Sequence, residues 1–208
     1  MGKSEVWSTV HDERAALDAD LRSLSATQWD TASLCQGWSV RDVLAHMTAT
    51  AEMTPPKFFA SMIGSGFKFE KMVQKKIEEQ EQGTPADTLA RFAASISSTK
   101  HPPGPTDSWL GETLVHAEDI RRPLGLQHDY PADAVSEVFD FYRKSNLIIG
   151  GKKRAEGLTF KATDSDWSTG TGPEVTGPML SLLMAMTGRR AALADLSGEG
   201  LTTLTARS

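Results

Sequence analysis

The 208-residue chain has a single cysteine, Cys35, so it can form no internal disulfide and no multi-cysteine metal cluster. Any metal must then be held by histidine and carboxylate, and the thiol content fits a reducing cytoplasm. No run approaches the roughly 18 apolar residues of a membrane span. The N-terminal segment lacks the apolar core of a signal peptide, and Val6 stands where a myristoylation motif wants Ser or Thr. A cytoplasmic protein without membrane attachment is the expectation. A cationic excess is also missing: 22 basic against 27 acidic side chains leave a formal charge of −5, too acidic for a broad phosphate-binding surface. Nucleic acid is therefore excluded as a partner. With 39% apolar and 24% charged residues, the chain is neither disordered nor collagen-like.

Glycine is scarce over most of the chain, and nine of the 17 lie between Gly150 and Gly200. That shift predicts a helical domain at residues 1–150 and a small α+β domain at 151–208. Ala16, Leu17, Leu21 and Leu24 have helical spacing, giving a first helix from His11 to Leu24. Ser39 can cap the next helix with Asp42 three residues on, and Val40, Val43, Leu44 and Met47 form its apolar stripe. Pro55-Pro56 ends it. Lys57 to Gln82 reads as a helical stretch broken around Gly64–Gly66, with EKMVQKKIEEQEQ as a solvated face. Thr84-Pro85 opens a helix to about Ser98, another runs from Trp109 to Arg122 and stops at Pro123, and Pro131 begins one to about Ile149. In the C-terminal part Leu158, Phe160 and Ala162 alternate as a strand, Asp164 to Gly172 is turn-rich, Pro178 opens an apolar helix, and LTTLTA reads as a last strand. GTGPEV is no dinucleotide fingerprint, because Val175 takes the third glycine position and no βαβ unit surrounds it.

Chemistry is concentrated in Glu112-Thr-Leu-Val-His116-Ala-Glu-Asp119. At about 100° per residue, Glu112 and His116 fall one turn apart on one side of a helix with Asp119 close by. A neutral imidazole and a carboxylate suit zinc or a similar divalent metal, but a third donor must come from elsewhere. His46, beside the apolar stripe of its helix, is the candidate; His11, His101 and His128 read as surface residues. Leu110, Leu114, Ala117 and Ile120 define the apolar face of the later helix, and Glu112 and Asp119 point largely away from it, so a solvated polar face fits the spacing equally. Cys35 has no histidine near it in sequence and reads as a small buried thiol.

The string Cys35-Gln-Gly-Trp-Ser-Val-Arg-Asp-Val-Leu-Ala-His46, with Gly-Glu112-Thr-Leu-Val-His116-Ala-Glu-Asp119-Ile-Arg-Arg-Pro-Leu-Gly125 much later, resembles the mycothiol-dependent maleylpyruvate isomerase family of DinB-like metalloenzymes. Ala162-Thr-Asp164, Gly177 and Gly188-Arg189 are similar to the small C-terminal domain of many members. The resemblance implies a mainly α fold, a DinB-like four-helix bundle with a small C-terminal α+β domain. It implies a metal, zinc by preference, on His46, Glu112 and His116, with mycothiol as cosubstrate. The implied function is thiol transfer to a small-molecule electrophile, or its cis-trans isomerisation by thiol addition and elimination. A chain with one inert cysteine would then borrow its reactive sulfur from the low-molecular-weight thiol.

Arg121 and Arg122 are the candidates for holding an anionic substrate, although cations at a helix C-terminus also favour the helix dipole without any ligand. Asp42 and Asp119 are candidates for orienting the histidines from behind, with helix capping as the other reading of Asp42. A homodimer is admitted. Two other functions stay open: a noncatalytic metal-binding or regulatory bundle, and a metal-dependent hydrolase using water in place of the thiol. DIRRPLG departs from the isomerase form of the motif, so maleylpyruvate itself is not the substrate expected.

Overall fold

A computed structural model describes residues 1–147 and 149–208. Its contacts divide the chain into two compact units, Gly2–His128 and Asp129–Ser208 with Met1.

The first unit is a helical bundle in chain order α1 (Lys3–Leu21), α2 (Ala26–Trp29), α3 (Val40–Glu52), α4 (Pro55–Gly64), α5 (Phe69–Gln80), α6 (Pro85–Ser95) and α7 (Thr106–Leu124). Four of these make the core: α1 packs on α6 and α7, and α3 packs on the same two helices from the other side. Each contributes an apolar stripe at helical spacing. Val6, Val10, Leu17 and Leu21 on α1, Val43, Leu44 and Met47 on α3, Phe92 on α6, and Leu110, Leu114, Ala117 and Ile120 on α7 are all buried. The first helix begins at Lys3 rather than His11, because Val6 and Val10 extend the stripe backwards one turn at a time. The expected caps form at Ser39 and Thr84, whose hydroxyls accept the amides of Asp42 and Asp87. The charged segment becomes α5, which lays Met72 and Ile77 on α3 and leaves its other faces to solvent. α4 packs on α5, and none of its residues is buried.

The second unit holds α8 (Ala132–Tyr142), α9 (Gly151–Ala155), β1 (Thr159–Ala162), β2 (Ser168–Gly170), β3 (Glu174–Gly177), α10 (Met179–Met186), a 3-10 turn at Arg190–Asp195 and α11 (Leu201–Arg207). The sheet order is β2-β1-β3; β1 and β2 are antiparallel with Phe160 opposite Thr169, while β1 and β3 are parallel with Phe160 opposite Val175. Glycine density places the break after residue 150, whereas the packing places it after His128. The difference is α8, which packs on α10 and sets Phe139 edge-on against Phe160 and Trp167 at 5.0 and 4.8 Å between ring centres. This helix ends at Tyr142, short of the expected Ile149, and Ile148 lies outside the described residues. The segment LTTLTA is helical, not a strand: Leu201 and Leu204 are three apart, which brings both to one helical face with Leu204 buried. Among the described residues no helix is long and apolar enough to cross a membrane.

Candidate active site

Three segments of the first unit meet at one place. α3 carries His46, α7 carries Glu112, His116 and Asp119, and the loop before α3 carries Cys35 and Trp38. The start of α3 is fixed by its capping box: Ser39 donates its amide and hydroxyl to Asp42 Oδ2 at 2.7 and 2.6 Å, and accepts the Asp42 amide at 3.1 Å. His46 follows two turns later, with the Trp38 ring at 5.1 Å on one side and the His116 ring edge-on at 5.0 Å on the other.

Proline explains how the loop reaches α7. Pro123 lies in the last turn of α7 and has no N–H to give to the carbonyl of Asp119, four residues back. That carbonyl accepts the Leu34 amide instead, at 3.2 Å. The loop is thereby docked beside Asp119, and the next residue, Cys35, donates its thiol to Asp119 Oδ2 at 3.0 Å. Gly125, at φ 70°, then closes the helix in the left-handed conformation that glycine adopts without strain.

Asp119 also accepts the Nδ1–H of His116 at 2.9 Å, and Cys35 Sγ lies 3.6 Å from the same nitrogen. A carboxylate can only accept here, so Nδ1 keeps its proton in either charge state, and Nε2 is the nitrogen that would give up a proton to bind an ion. Nε2 has no hydrogen-bond partner among the described residues, and neither ring nitrogen of His46 has one. Glu112 is buried with both carboxylate oxygens unpartnered. Thr50 and Thr113 stand near enough to favour its charged form without reaching hydrogen-bond geometry to it. A buried carboxylate without donors is costly unless something else satisfies it.

The electrostatics follow from this packing. Burial raises the Glu112 pKa above its ordinary value, opposed first by the charge of His116 and then by that of Arg14, a guanidinium buried in the same core. Burial disfavours protonation of His116, but its hydrogen bonds to Asp119 and Cys35 and their electrostatic attraction outweigh that and push its pKa up to about 10. Burial and repulsion from His116 bring His46 down to about 3, against a smaller pull from Asp119. The ring poised over the site is therefore a neutral imidazole at pH 7. One consequence is measurable in protein stripped with chelator. The folded pKa of His116 is above the ordinary 6.5, so its contribution to stability is complete below about pH 6.5 and is lost as the pH rises through about 10. The melting temperature is expected to fall by roughly 5 °C or more between those limits. Asp119→Asn should flatten that slope in thermal melts; an unchanged slope would place the effect elsewhere.

The histidines open into a cleft of about 790 Å³ lined by Cys35, Gln36, Trp38, His46, Phe69, Glu70, Lys71, Val73, Gln74 and His116. Of the residues expected from the sequence, His46 and His116 meet at its floor, and Glu112 lies in the core within electrostatic reach of His116. Asp119 stands behind His116. Asp42 is turned to Ser39 and serves as a cap, not as a support for His46. Arg121 and Arg122 do not line the cleft: Arg121 is fully buried and donates to Asp20 at 2.7 Å, and Arg122 lies 3.6 Å from Glu118. The other histidines are half-buried rather than surface residues, with His128 bonded to Glu13 at 2.8 Å and His101 stacked between Trp7 and Trp109. Sequence reasoning passed over Cys35, whose partners are 81 and 84 residues away, and the α5 wall of the cleft.

Among the described residues one group of three ligating side chains is drawn closely together. Cys35, His116 and Asp119 place one ligand atom each within 4.8 Å of one another, but their spacings of 2.9 and 3.0 Å to Asp119 are those of hydrogen bonds already made. His46, Glu112 and His116 are not brought within 4.8 Å of one another as a set, but the two histidines have ring nitrogens without hydrogen-bond partners and both Glu112 oxygens are unpartnered.

Residues 10–103 match the family model of the mycothiol maleylpyruvate isomerase N-terminal domain, a stretch that holds Cys35, Trp38 and His46 and ends before α7. Among solved structures, a mycothiol-dependent maleylpyruvate isomerase shares the fold with a TM-score of 0.67, and a histidine-to-alanine mutant of the enzyme of that name with 0.66. Each is 13% identical, and the likeness covers 96% of this chain and 93% of theirs. Among curated proteins no sequence matches.

Proposed function

We propose, from the match of residues 10–103 to the mycothiol maleylpyruvate isomerase N-terminal domain, that the chain is a member of that family and a metal-dependent enzyme in which a low-molecular-weight thiol such as mycothiol attacks a small electrophile. The observation that carries the reading is the buried Glu112 carboxylate with no donor on either oxygen, in the core behind a cleft where two histidines present free nitrogens. His46, Glu112 and His116 would hold the ion, and zinc suits their chemistry. When bound, such an ion supplies a Lewis acid that favours the thiolate form of an incoming thiol near neutral pH.

The protein's own side chains do the remaining work. Asp119 keeps the His116 proton on Nδ1 and so keeps Nε2 directed away from itself as a donor. Trp38 covers one face of His46 and, with Phe69 and Val73, gives the cleft apolar walls that exclude water from the attacking sulfur. The volume accommodates the reacting ends of both molecules. In thiol transfer a C–S bond forms at the electrophilic carbon and the proton from the thiol ends on the adduct. In isomerisation the same addition is followed by rotation about the former double bond, and loss of the sulfur with return of the proton regenerates the thiol.

The test is consumption of an electrophilic enone by the purified protein with mycothiol, without it, and after removal of metal by chelator. Turnover that needs protein, thiol and metal together is the expected result. Consumption without thiol would transfer the reading to water as the nucleophile, and cleavage of an ester or amide in place of the enone would mark a hydrolase. No consumption by a metal-loaded protein would favour a noncatalytic bundle.

A further inference from the structure

We propose that the first turn of α5 selects the substrate of this cleft, with Phe69 gripping an apolar body and Lys71 holding a single anionic end. The inference rests on the proposed reaction for its chemistry, but concerns which electrophile is admitted.

Phe69, Glu70 and Lys71 form one wall of the cleft whose floor holds His46 and His116, and Gln74 and Val73 continue that wall one turn on. Phe69 is 57% exposed although it begins a well-formed helix, and it lines the cleft together with Trp38 and Val73. Its ring is thus incompletely covered by the protein, and an apolar group entering beside it removes further surface from water. Lys71 is exposed and has no hydrogen-bond or ion-pair partner among the described residues, in contrast to Lys76 on the same helix, which pairs with Glu79 at 2.6 Å. It is the lysine of the cleft lining, which holds no arginine among the described residues, and it stands on the α5 wall. The two arginines that the sequence suggested for this task are engaged elsewhere, one in the core with Asp20 and one beside Glu118.

A single ammonium next to the Glu70 carboxylate suits one negative charge and disfavours two. Gln36 and Gln74 add neutral amides that can bond a carbonyl. The class that satisfies all four features is an amphipathic monoanion: an aryl or comparable apolar body, an electrophilic enone and one carboxylate. Benzoylacrylate has this pattern, and its saturated analogue benzoylpropionate has the same shape and charge without reactivity toward thiols.

The experiment is calorimetric titration of the full-length protein, with the metal it retains on purification, using benzoylpropionate, its methyl ester and levulinate, in which methyl replaces phenyl. The wild type is expected to bind the acid more tightly than the ester or levulinate. Lys71→Gln should weaken the acid by about fivefold and leave the ester unchanged, removing the discrimination between them. Phe69→Ala should weaken both aryl ligands by about tenfold and levulinate by less than twofold. Glu70→Gln, which alters the neighbouring charge in the opposite sense, should tighten the acid. No binding of benzoylpropionate to the wild type, or equal losses for acid and ester in Lys71→Gln, would overturn the assignment. Thiol-dependent turnover of benzoylacrylate, measured alongside, separates the two proposals. Turnover that ignores these substitutions sinks the selection by α5 alone. The binding pattern without thiol-dependent turnover sinks the thiol chemistry and leaves the selection by α5 intact.

Discussion

If the proposed site holds a zinc-like ion, protein carrying Glu112→Gln or His46→Ala should retain, after purification without added metal, less than about a tenth of what the wild type binds, because each change removes one of the three proposed donors. Gln is nearly isosteric with Glu, so the first variant removes the anionic donor while filling the same space in the core between α3 and α7. Asp119→Asn should act more mildly and weaken the ion by about 10- to 100-fold, since it removes the acceptor that fixes His116 and not a ligand itself. Cys35→Ser should retain the metal within about twofold, because a hydroxyl can still donate to Asp119 and the thiol is not one of the three proposed donors. Elemental analysis of the four proteins, with competition by a chromophoric chelator, checks all of this. Loss of metal in Cys35→Ser with retention in His46→Ala would move the ion to the Cys35, His116 and Asp119 set. A wild type that binds no divalent ion at all would leave Glu112 without an explanation in metal chemistry.

The proposed donors could be picked out in the sequence because their placement depends on local geometry. The spacing of four from Glu112 to His116 fixes their common side of a helix wherever that helix lies, and the Ser39 and Asp42 pair announces the start of the helix that carries His46. Cys35 was not legible, because its neighbours are set by Pro123: a missing amide frees one carbonyl, and the loop that takes it lies far away in the chain. The same limit applies to Lys71 and Phe69, which look like part of a solvated charged helix until α5 is seen against α3. LTTLTA misled for a simpler reason, since two leucines in six residues satisfy a period of three as well as an impression of alternation. The contact division after His128 differs from the break expected at residue 150 because glycine density marks turns, and the apolar face of α8, which packs on α10, carries no such mark.

Arg121, a candidate from the sequence for holding an anionic substrate, is buried and bonded to Asp20, and its substitution should be felt in stability. Arg121 and Arg122 are adjacent, so about 100° of helical rotation separates them and sends them to different environments. Arg121 has no exposed surface and its Nε–H donates to Asp20 of α1, so it ties two helices of the bundle together and helps to neutralise the buried Glu13. Arg121→Ala removes one partner of a largely buried ion pair and leaves a void, which should cost about 3–5 kcal/mol. For a chain of this size that lowers the melting temperature by roughly 10 °C. Lys at this position should not restore it, because a compact ammonium lacks the planar fork that reaches several acceptors at once. Arg122→Ala should change stability by less than about 0.5 kcal/mol, since its contact with Glu118 is long at 3.6 Å and part-exposed. Urea and thermal unfolding of the three variants, together with KM for the acid and ester forms of the enone, decide the matter. A stable Arg121→Ala protein with a raised KM for the acid alone would return the anion-holding role to α7; an unstable one with unchanged discrimination leaves that role to α5.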